Sequence, residues 1–569
     1  MKENRKKAQT TSGADAVLSA LQAEETEIIF GYPGGATLPI YDRLEKYGIR
    51  HILCRHEQGG THMADGYARV TGKTGVCMAT SGPGATNLVT GVATAFMDSS
   101  SVVAISGQVP STMIGNDAFQ EVDITGITIP ITKHNYLVSK AEDLQGTVHE
   151  AFYLSSTGRK GPVLIDIPKD ILTDKTKTRS DFTKSDQSRL EGYNPTIKGH
   201  IGQIRRAASL IVKSERPLII AGGGVPAANA EDALKKFALK YGIPVASTLM
   251  GKNSFPNSEE SYLGLIGYHG TAAGNKAVQN ADVIIAVGTR FGDRSTGPLN
   301  TFASGASIIH IDIDPAEISK NIPSFLPIVG DAALIMEALD ESIGSAEKNT
   351  NSDKERWAHE LKTIKEKEAV AVDHGKMNIP AILTRLKAIC PDPIISTDVG
   401  RHQIFTAHHF PVDRKKSFLT SGGLGTMGFG LPAAIGAKAG LPDDTVFTIS
   451  GDGSFLMCCQ EIVTAVEENL PVIALVMKDK KLGMISQLQD AFYGKRYNCC
   501  DLGDSVNFAA LAESMGALGL KVSENNQIDR AIETAVASGR PSVIEFEIPN
   551  PENTYPMVVG GSLTDYIVK

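Results

Sequence analysis

No stretch of about twenty apolar residues occurs in this chain, so no segment is long enough to cross a bilayer as a helix. The charged start is not followed by an apolar segment, and the sequence reads as neither secreted nor membrane-spanning. A basic excess is also missing. The 56 Lys and Arg are outnumbered by 64 Asp and Glu, giving a net charge of −8, which argues against nucleic-acid binding. The short clusters Arg5-Lys6-Lys7 and Arg414-Lys415-Lys416 read as solvated surface. Cysteine is scarce: the seven present include the adjacent pairs Cys458-Cys459 and Cys499-Cys500, and none has zinc-ligand spacing. Reduced thiols and a cytoplasmic location are expected. Low-complexity tracts and short internal repeats are absent, and Trp357 is the one tryptophan.

What remains is a chain of 569 residues, 42% of them hydrophobic, long enough for three ordinary domains. Short apolar runs alternate with helical patterns throughout, which predicts an α/β fold of three doubly wound parallel-sheet domains. The divisions are 1–175, 192–345 and 368–569. Between the first two, the polar stretch Asp174 to Glu191 reads as a linker. Between the second and third, the charged segment Ser345 to Lys367, holding Trp357, reads as an exposed helix.

The strongest motif is Gly451-Asp452-Gly453-Ser454, following the strand-like run Thr445 to Ser450. It is answered by Lys478-Asp479 after a second such run, Val472 to Met477, with a helical stretch from Cys459 to Asn469 between them. This is a βαβ unit. Parallel strands deliver their loops to one edge of the sheet, so Asp452 and Asp479 can face each other. Two carboxylates suit Mg²⁺, which completes its octahedron with phosphate oxygens and water. The flanking glycines let the backbone approach a diphosphate. At the other end of the chain, Arg55-His56-Glu57-Gln58-Gly59-Gly60 follows the strand-like run His51 to Cys54.

With Gly31-Tyr32-Pro33-Gly34-Gly35-Ala36, Thr80 to Asn87, Asp117 to Glu121, Ile165 to Asp170, Gly422 to Gly428 and Leu482-Gly483-Met484, these motifs resemble the thiamine diphosphate enzymes. The ordered set, from Ser12 to the segment Asn553 to Leu563, is most similar to the catalytic subunits of acetohydroxyacid synthase, also called acetolactate synthase. The resemblance implies decarboxylation of pyruvate and transfer of its two-carbon unit to a second 2-keto acid, in branched-chain amino acid biosynthesis.

Residue roles follow from the same resemblance. Glu57 would hydrogen-bond a pyrimidine nitrogen of the cofactor, Met427 would hold the cofactor bent, and Arg294, Gln120 and Lys169, with Phe119, would line the substrate path. Arg294 suits the acceptor carboxylate because a guanidinium offers a bidentate fork. Tyr32, Pro33, Gly34, Pro83, Asn87, Val399, Gly400, His402, Gln403, Gly425, Gly451, Gly453, Ser454, Gly483 and Met484 would contact the cofactor. Metal contacts are implied at Asp452, Asp479 and Lys481. A structural FAD is implied in the middle domain at Gly222, Gly223, Gly224, Leu249, Met250, His269, Gly288, Arg290, Asp293, Arg294 and Asp312. Partners implied are a second copy of the chain, as a homodimer or homotetramer with active sites between chains, and a small regulatory subunit.

The chain departs from the family pattern at three places. Leu488 stands where the family has tryptophan in Gln487-Leu488-Gln489, which predicts no preference for 2-ketobutyrate over pyruvate as acceptor. Lys478-Asp479 replaces two asparagines; the added carboxylate calls for a cation, for which Lys478 and Lys481 are the candidates. Gly292 replaces an aspartate beside the flavin segment. Gly423 to Gly428 also matches a dinucleotide fingerprint, but Asp443 and Asp444 precede the next strand instead of ending it, so a nicotinamide site is not expected. Two other readings fit the same residues: another thiamine enzyme, such as a pyruvate oxidase or a carboligase with a different acceptor, and a non-catalytic homologue in which Lys478 blocks the site.

Overall fold

The computed structural model describes residues 9–178, 190–344, 352–368, 372–373 and 375–567. Arg5-Lys6-Lys7 and most of the expected linker lie outside them. Three six-stranded sheets, each wholly parallel, carry the chain. The first has the order Arg50–Leu53, Ile28–Gly31, Gly75–Ala79, Val102–Gln108, Val163–Pro168, His134–Leu137. The third has the order Phe418–Thr420, Ile394–Thr397, Val446–Gly451, Val472–Lys478, Ser542–Glu547, Leu518–Val522. Numbered along the chain, both sheets run 2-1-3-4-6-5. The middle sheet runs 3-2-1-4-5-6 instead, from Tyr262–Leu265 through Pro217–Ala221 and Val283–Val287 to Leu326–Val329.

The central strands are unbroken apolar runs because helices cover both faces of each sheet. Val102–Gln108 and Val472–Lys478 are buried along their whole length. In each sheet the chain leaves its first strand toward one side and its third or fourth toward the other, so a crevice opens at the carboxyl ends where the direction reverses.

The first and third sheets share one apolar core that includes Phe30, Tyr67, Phe429, Phe455 and Phe508. Its centre is the crossing of helix Glu57–Thr71 with helix Gly430–Gly440. A Cβ on Gly66 would land on the carbonyl of Ala433, and one on Gly436 on the carbonyl of Met63. The two backbones therefore touch, which fixes the start of the Glu57 helix against the third sheet.

Two expectations are corrected. Lys175–Thr178, within the supposed linker, is a strand paired antiparallel with Gln9–Ser12. The segment around Trp357 is a helix, Ser352–Glu368, but not an exposed one. Trp357 is 3% exposed and Leu361 fully buried; standing one turn apart, they form an apolar stripe under a charged outer face. The indole N–H donates to the carbonyl of Pro217 at 3.2 Å, which fastens the helix to the middle sheet.

Candidate active site

The crevice of the third sheet lies between strands Ile394–Thr397 and Val446–Gly451, which are neighbours. The first is followed by Val399, Gly400, Arg401, His402 and Gln403, the second by Gly451 to Ser454, and the adjacent strand Val472–Lys478 by Asp479 to Lys481. Asp452 is buried, and its carboxylate accepts the N–H of Lys480 at 2.7 Å and its neighbour Gly453's at 2.9 Å. Burial and then the nearby charge of Asp479 push its carboxyl up to about 6. The charge of Asp479 is thus felt at Asp452, which places the two carboxylates in the same neighbourhood.

Asp479 is paired, but with the ammonium of neither lysine named from the sequence. Arg401 donates to its Oδ2 at 2.6 Å, and the backbone N–H of Lys481 donates to Oδ1 at 3.1 Å. Lys478 ends a strand in register with Glu547. Its Nζ turns away to the carbonyl of Val506 at 2.7 Å, Asp504 at 2.9 Å and Glu545 at 3.3 Å, so it does not block the crevice. The ammonium of Lys481 faces Asp501 at 3.7 Å and the ring of Tyr497. A metal contact at Lys481 thus falls to its carbonyl, since a cation does not ligate a cation.

His402 is buried, and its Nε2 has no hydrogen-bond partner. Burial holds the ring neutral, its pKa lowered to about 3. A Cβ on Gly451 would come within 3.0 Å of the Cε1 and Nδ1 of this ring, so the Nδ1 edge of the imidazole stands beside the glycine turn. Gln403 is occupied elsewhere, donating to the hydroxyl of Thr420 at 2.7 Å. Ser454 spends its hydroxyl on Gly451, accepting its N–H and donating to its carbonyl, each at 3.2 Å. Gly483 leaves room for Arg401, whose Nε a Cβ there would strike, and Met484 is half-buried beside it.

These residues fit a metal-bound diphosphate. A glycine turn, an unpaired buried nitrogen and two neighbouring carboxylates match an ion that takes one or two carboxylates and fills its shell with phosphate and water. Among the described residues no group of three or more His, Cys, Asp or Glu gathers where it could hold a metal ion.

The loop Gly422 to Phe429 is tied to both outer domains. The N–H of Gly423 donates to Asp98 and that of Gly428 to Asp398, both at 2.7 Å, and the hydroxyls of Thr94 and Thr426 meet at 2.7 Å. Gly425 turns with φ of 71°. Met427 is half-buried in this braced loop.

In the first sheet, Tyr32, Pro33 and Gly34 follow strand Ile28–Gly31, and Pro83 to Asn87 follow strand Gly75–Ala79 across the same kind of crevice. Glu57 is the first residue of its helix, and its Oε2 accepts the amide N–H of Asn87 at 2.9 Å. Just before it, the N–H groups of Arg55 and His56 donate to Glu461 of the third domain at 3.1 and 2.9 Å. Glu461 is fully buried, and burial pushes its carboxyl up to about 7 against donors that favour the charged form. Gln120 lies on the loop beyond the carboxyl end of Val102–Gln108, and Lys169 begins the short helix Lys169–Thr173 directly after Val163–Pro168; Gln120 has φ of 62°, and Phe119 is 88% exposed.

In the middle sheet, Gly222 and Gly224 meet Gly288 at the crevice, and Gly223 faces Met250. The N–H of Gly222 donates to the carbonyl of Val287 at 2.9 Å and that of Gly224 to Gly288 at 3.0 Å. Leu249 and Met250 form the next turn, with Met250 lying between Gly223 and Gly422. Arg290 is half-buried, and Asp312 ends its strand with its carboxyl raised to about 6 by burial. The Nδ1 of His269 is buried without a partner. Asp293 and Arg294 instead project from a short turn, their side chains 85% and 73% exposed, with Arg294 over the ring of Tyr268. A glycine cradle at a 3-2-1-4-5-6 switch point with an unpaired imidazole nitrogen in the adjoining segment fits a dinucleotide.

Arg401, Glu461, Asp98 and Asp398 were not singled out from the sequence. Arg401 had a readable signal, because it begins the helix next to Gly400. The other three owe their roles to contacts between segments far apart in the chain.

Comparison with known proteins agrees with this geometry. Residues 11–127, 204–339 and 398–546 match the N-terminal TPP-binding, central and C-terminal TPP-binding domain models of the thiamine pyrophosphate enzymes. A protein of Methanocaldococcus jannaschii named probable acetolactate synthase large subunit is 46% identical, covering 98% of this chain and 95% of its own. One of Methanococcus aeolicus with the same name is 45% identical over the same shares. The Escherichia coli acetolactate synthase isozyme 3 large subunit is 41% identical, covering 97% and 98%. No helix among the described residues is long and apolar enough to cross a membrane. A switch-point crevice with paired carboxylates, a helix-start glutamate on the matching edge of a second sheet, and near end-to-end similarity converge on one conclusion: the chain belongs to the thiamine pyrophosphate enzymes, in the family of acetolactate synthase large subunits.

Proposed function

We propose that the protein makes acetolactate from two molecules of pyruvate, using thiamine diphosphate, Mg²⁺ and a structural FAD. Bound thiamine diphosphate would supply the nucleophilic carbon on which pyruvate loses carbon dioxide and the two-carbon unit passes to the second keto acid. The chain's own residues hold, orient and shield. Asp452 and Asp479, with the Lys481 carbonyl, would hold the metal, and the Gly451 turn and His402 the diphosphate. Asn87 engages one oxygen of Glu57; the other would hydrogen-bond the cofactor's pyrimidine ring and hold the proton there. Met427, on a loop braced by Asp98 and Asp398, would keep the cofactor's two rings in contact. The exposed guanidinium of Arg294, with Gln120 and Lys169, would receive the acceptor's carboxylate. Gly222 to Gly224 with Gly288, Arg290, Asp312 and His269 would seat the flavin.

The divisions 1–175, 192–345 and 368–569 belong to this reading, one sheet to each. So do a homodimer or homotetramer whose sites pair Glu57 of one copy with Asp452 of another, a cytoplasmic setting, and a small regulatory subunit suggested by the relatives' names. The observation that carries the reading is the gathering of the diphosphate-side candidates at one switch point, with Lys478 turned out of it. Its test is acetolactate formation from pyruvate with thiamine diphosphate, Mg²⁺ and FAD each omitted in turn. Product that disappears without thiamine diphosphate or metal is expected; oxygen uptake with release of acetate would identify an oxidase instead.

A further inference from the structure

We infer that Arg401 is a positioning residue for the metal site: it is the counter-ion that allows an aspartate at 479, and it governs how strongly the site attracts a cation before the diphosphate arrives. This rests on the reading of Asp452 and Asp479 as metal-holding residues.

The guanidinium and the carboxylate are both nearly enclosed, with side-chain exposures of 5% and 11%. An enclosed carboxylate without a partner is costly, and Asp479 already stands beside the carboxylate of Asp452. Arg401 meets it at 2.6 Å, and Arg401 is itself aimed, its second nitrogen donating to the amide oxygen of Asn553 at 3.2 Å. Asn553 in turn donates to Asp490 at 3.0 Å. Gly483 completes the arrangement by leaving the space through which the guanidinium passes.

The pair has a consequence for the metal. With Arg401 in place, the two carboxylates carry the net charge of one, and the Oδ2 of Asp479 is engaged by the guanidinium. A divalent cation alone must compete with the guanidinium, whereas a cation arriving with a diphosphate brings negative charge that the guanidinium also attracts. Arg401 thereby makes the site favour the complex over the bare ion.

The test is Mn²⁺ binding to the full-length protein free of cofactor, followed by the free-ion resonance signal, in the wild type, Arg401→Gln, Asp479→Asn and the double variant. Thermal midpoints are measured in parallel. R401Q is expected to bind Mn²⁺ about tenfold more tightly than wild type, because a full second carboxylate becomes available. In the D479N background the same change should alter affinity by less than about threefold. R401Q should also lower the thermal midpoint, and the double variant should recover most of that loss. Arg401→Lys, which keeps the charge, should stay near wild-type affinity, so the inference remains testable if R401Q folds poorly. Equal effects of R401Q in both backgrounds, or R401K behaving as R401Q should, would overturn it. Asp452→Asn is measured alongside; if neither it nor D479N changes Mn²⁺ binding, the metal-site reading itself is wrong and the inference falls with it.

Discussion

The first and third domains are the same six-stranded sheet with the same 2-1-3-4-6-5 order, yet their crevices hold opposite chemistry. The crevice of the third is charged and hydrogen-bonded: Asp452, Asp479, Arg401 and an unpaired nitrogen of His402. At the corresponding edge of the first stand Tyr32, two prolines, Asn87 and the single carboxylate of Glu57. On the proposed reading, one scaffold supplies an anion-and-metal end and a proton-exchanging end. Strand order sets where a ligand can lie, and loop side chains decide which part of it. The middle domain has another order and another cradle, in keeping with a third ligand that need not react.

The comparison can be broken most severely at Glu57. Replacing it with glutamine keeps the shape and the bond to Asn87 but removes the exchangeable proton, and should lower acetolactate formation by about 10²- to 10⁴-fold with the fold intact. Activity within a few-fold of wild type would remove Glu57 from the chemistry. A smaller effect is expected at Leu488, on the helix Gly483–Phe492. Leu488→Trp should shift the product ratio toward the four-carbon acceptor by about tenfold when pyruvate and 2-ketobutyrate compete. An unchanged ratio would show that this wall does not read the acceptor.

The smallest effect concerns the tie between the two domains. The carboxyl of Glu461 is raised from 4.5 to about 7 in the folded chain. Between those values the native protein holds a proton that the unfolded chain has released. Its contribution is therefore fully present below about pH 4.5 and is lost as pH rises through 7. Comparing thermal midpoints of wild type and Glu461→Gln at pH 5 and pH 8 should show the wild type losing a few degrees relative to the variant at the higher pH. A constant difference would mean that Glu461 is not protonated in the fold.

Much of this was legible in the residues. The apolar runs marked the central strands of all three sheets because those strands are buried on both faces, and Gly451 to Ser454 with Asp479 pointed to the switch-point crevice of the third sheet, where the structure brings their segments to neighbouring strands. The repeated strand order was not readable, since it lies in connections hundreds of residues apart and leaves no periodic side chain. Trp357 looked exposed because its helix is mostly charged, yet one apolar stripe suffices to bury an indole whose N–H finds the carbonyl of Pro217. The counter-ion of Asp479 was sought among its sequence neighbours, but strand geometry sends Lys478 to Glu545 and leaves Arg401, from another loop, to fill the place.

The central claim is that the two matching crevices, one from each of two copies, form one active site. The direct test mixes two singly inactive variants, Glu57→Gln and Asp452→Asn, under conditions that let subunits exchange. If the site lies between copies, half of the randomly assorted dimers contain one intact site, and acetolactate formation should return to roughly a quarter of the wild-type rate. No recovery, with exchange verified, would mean that each chain builds its site alone and would contradict the account.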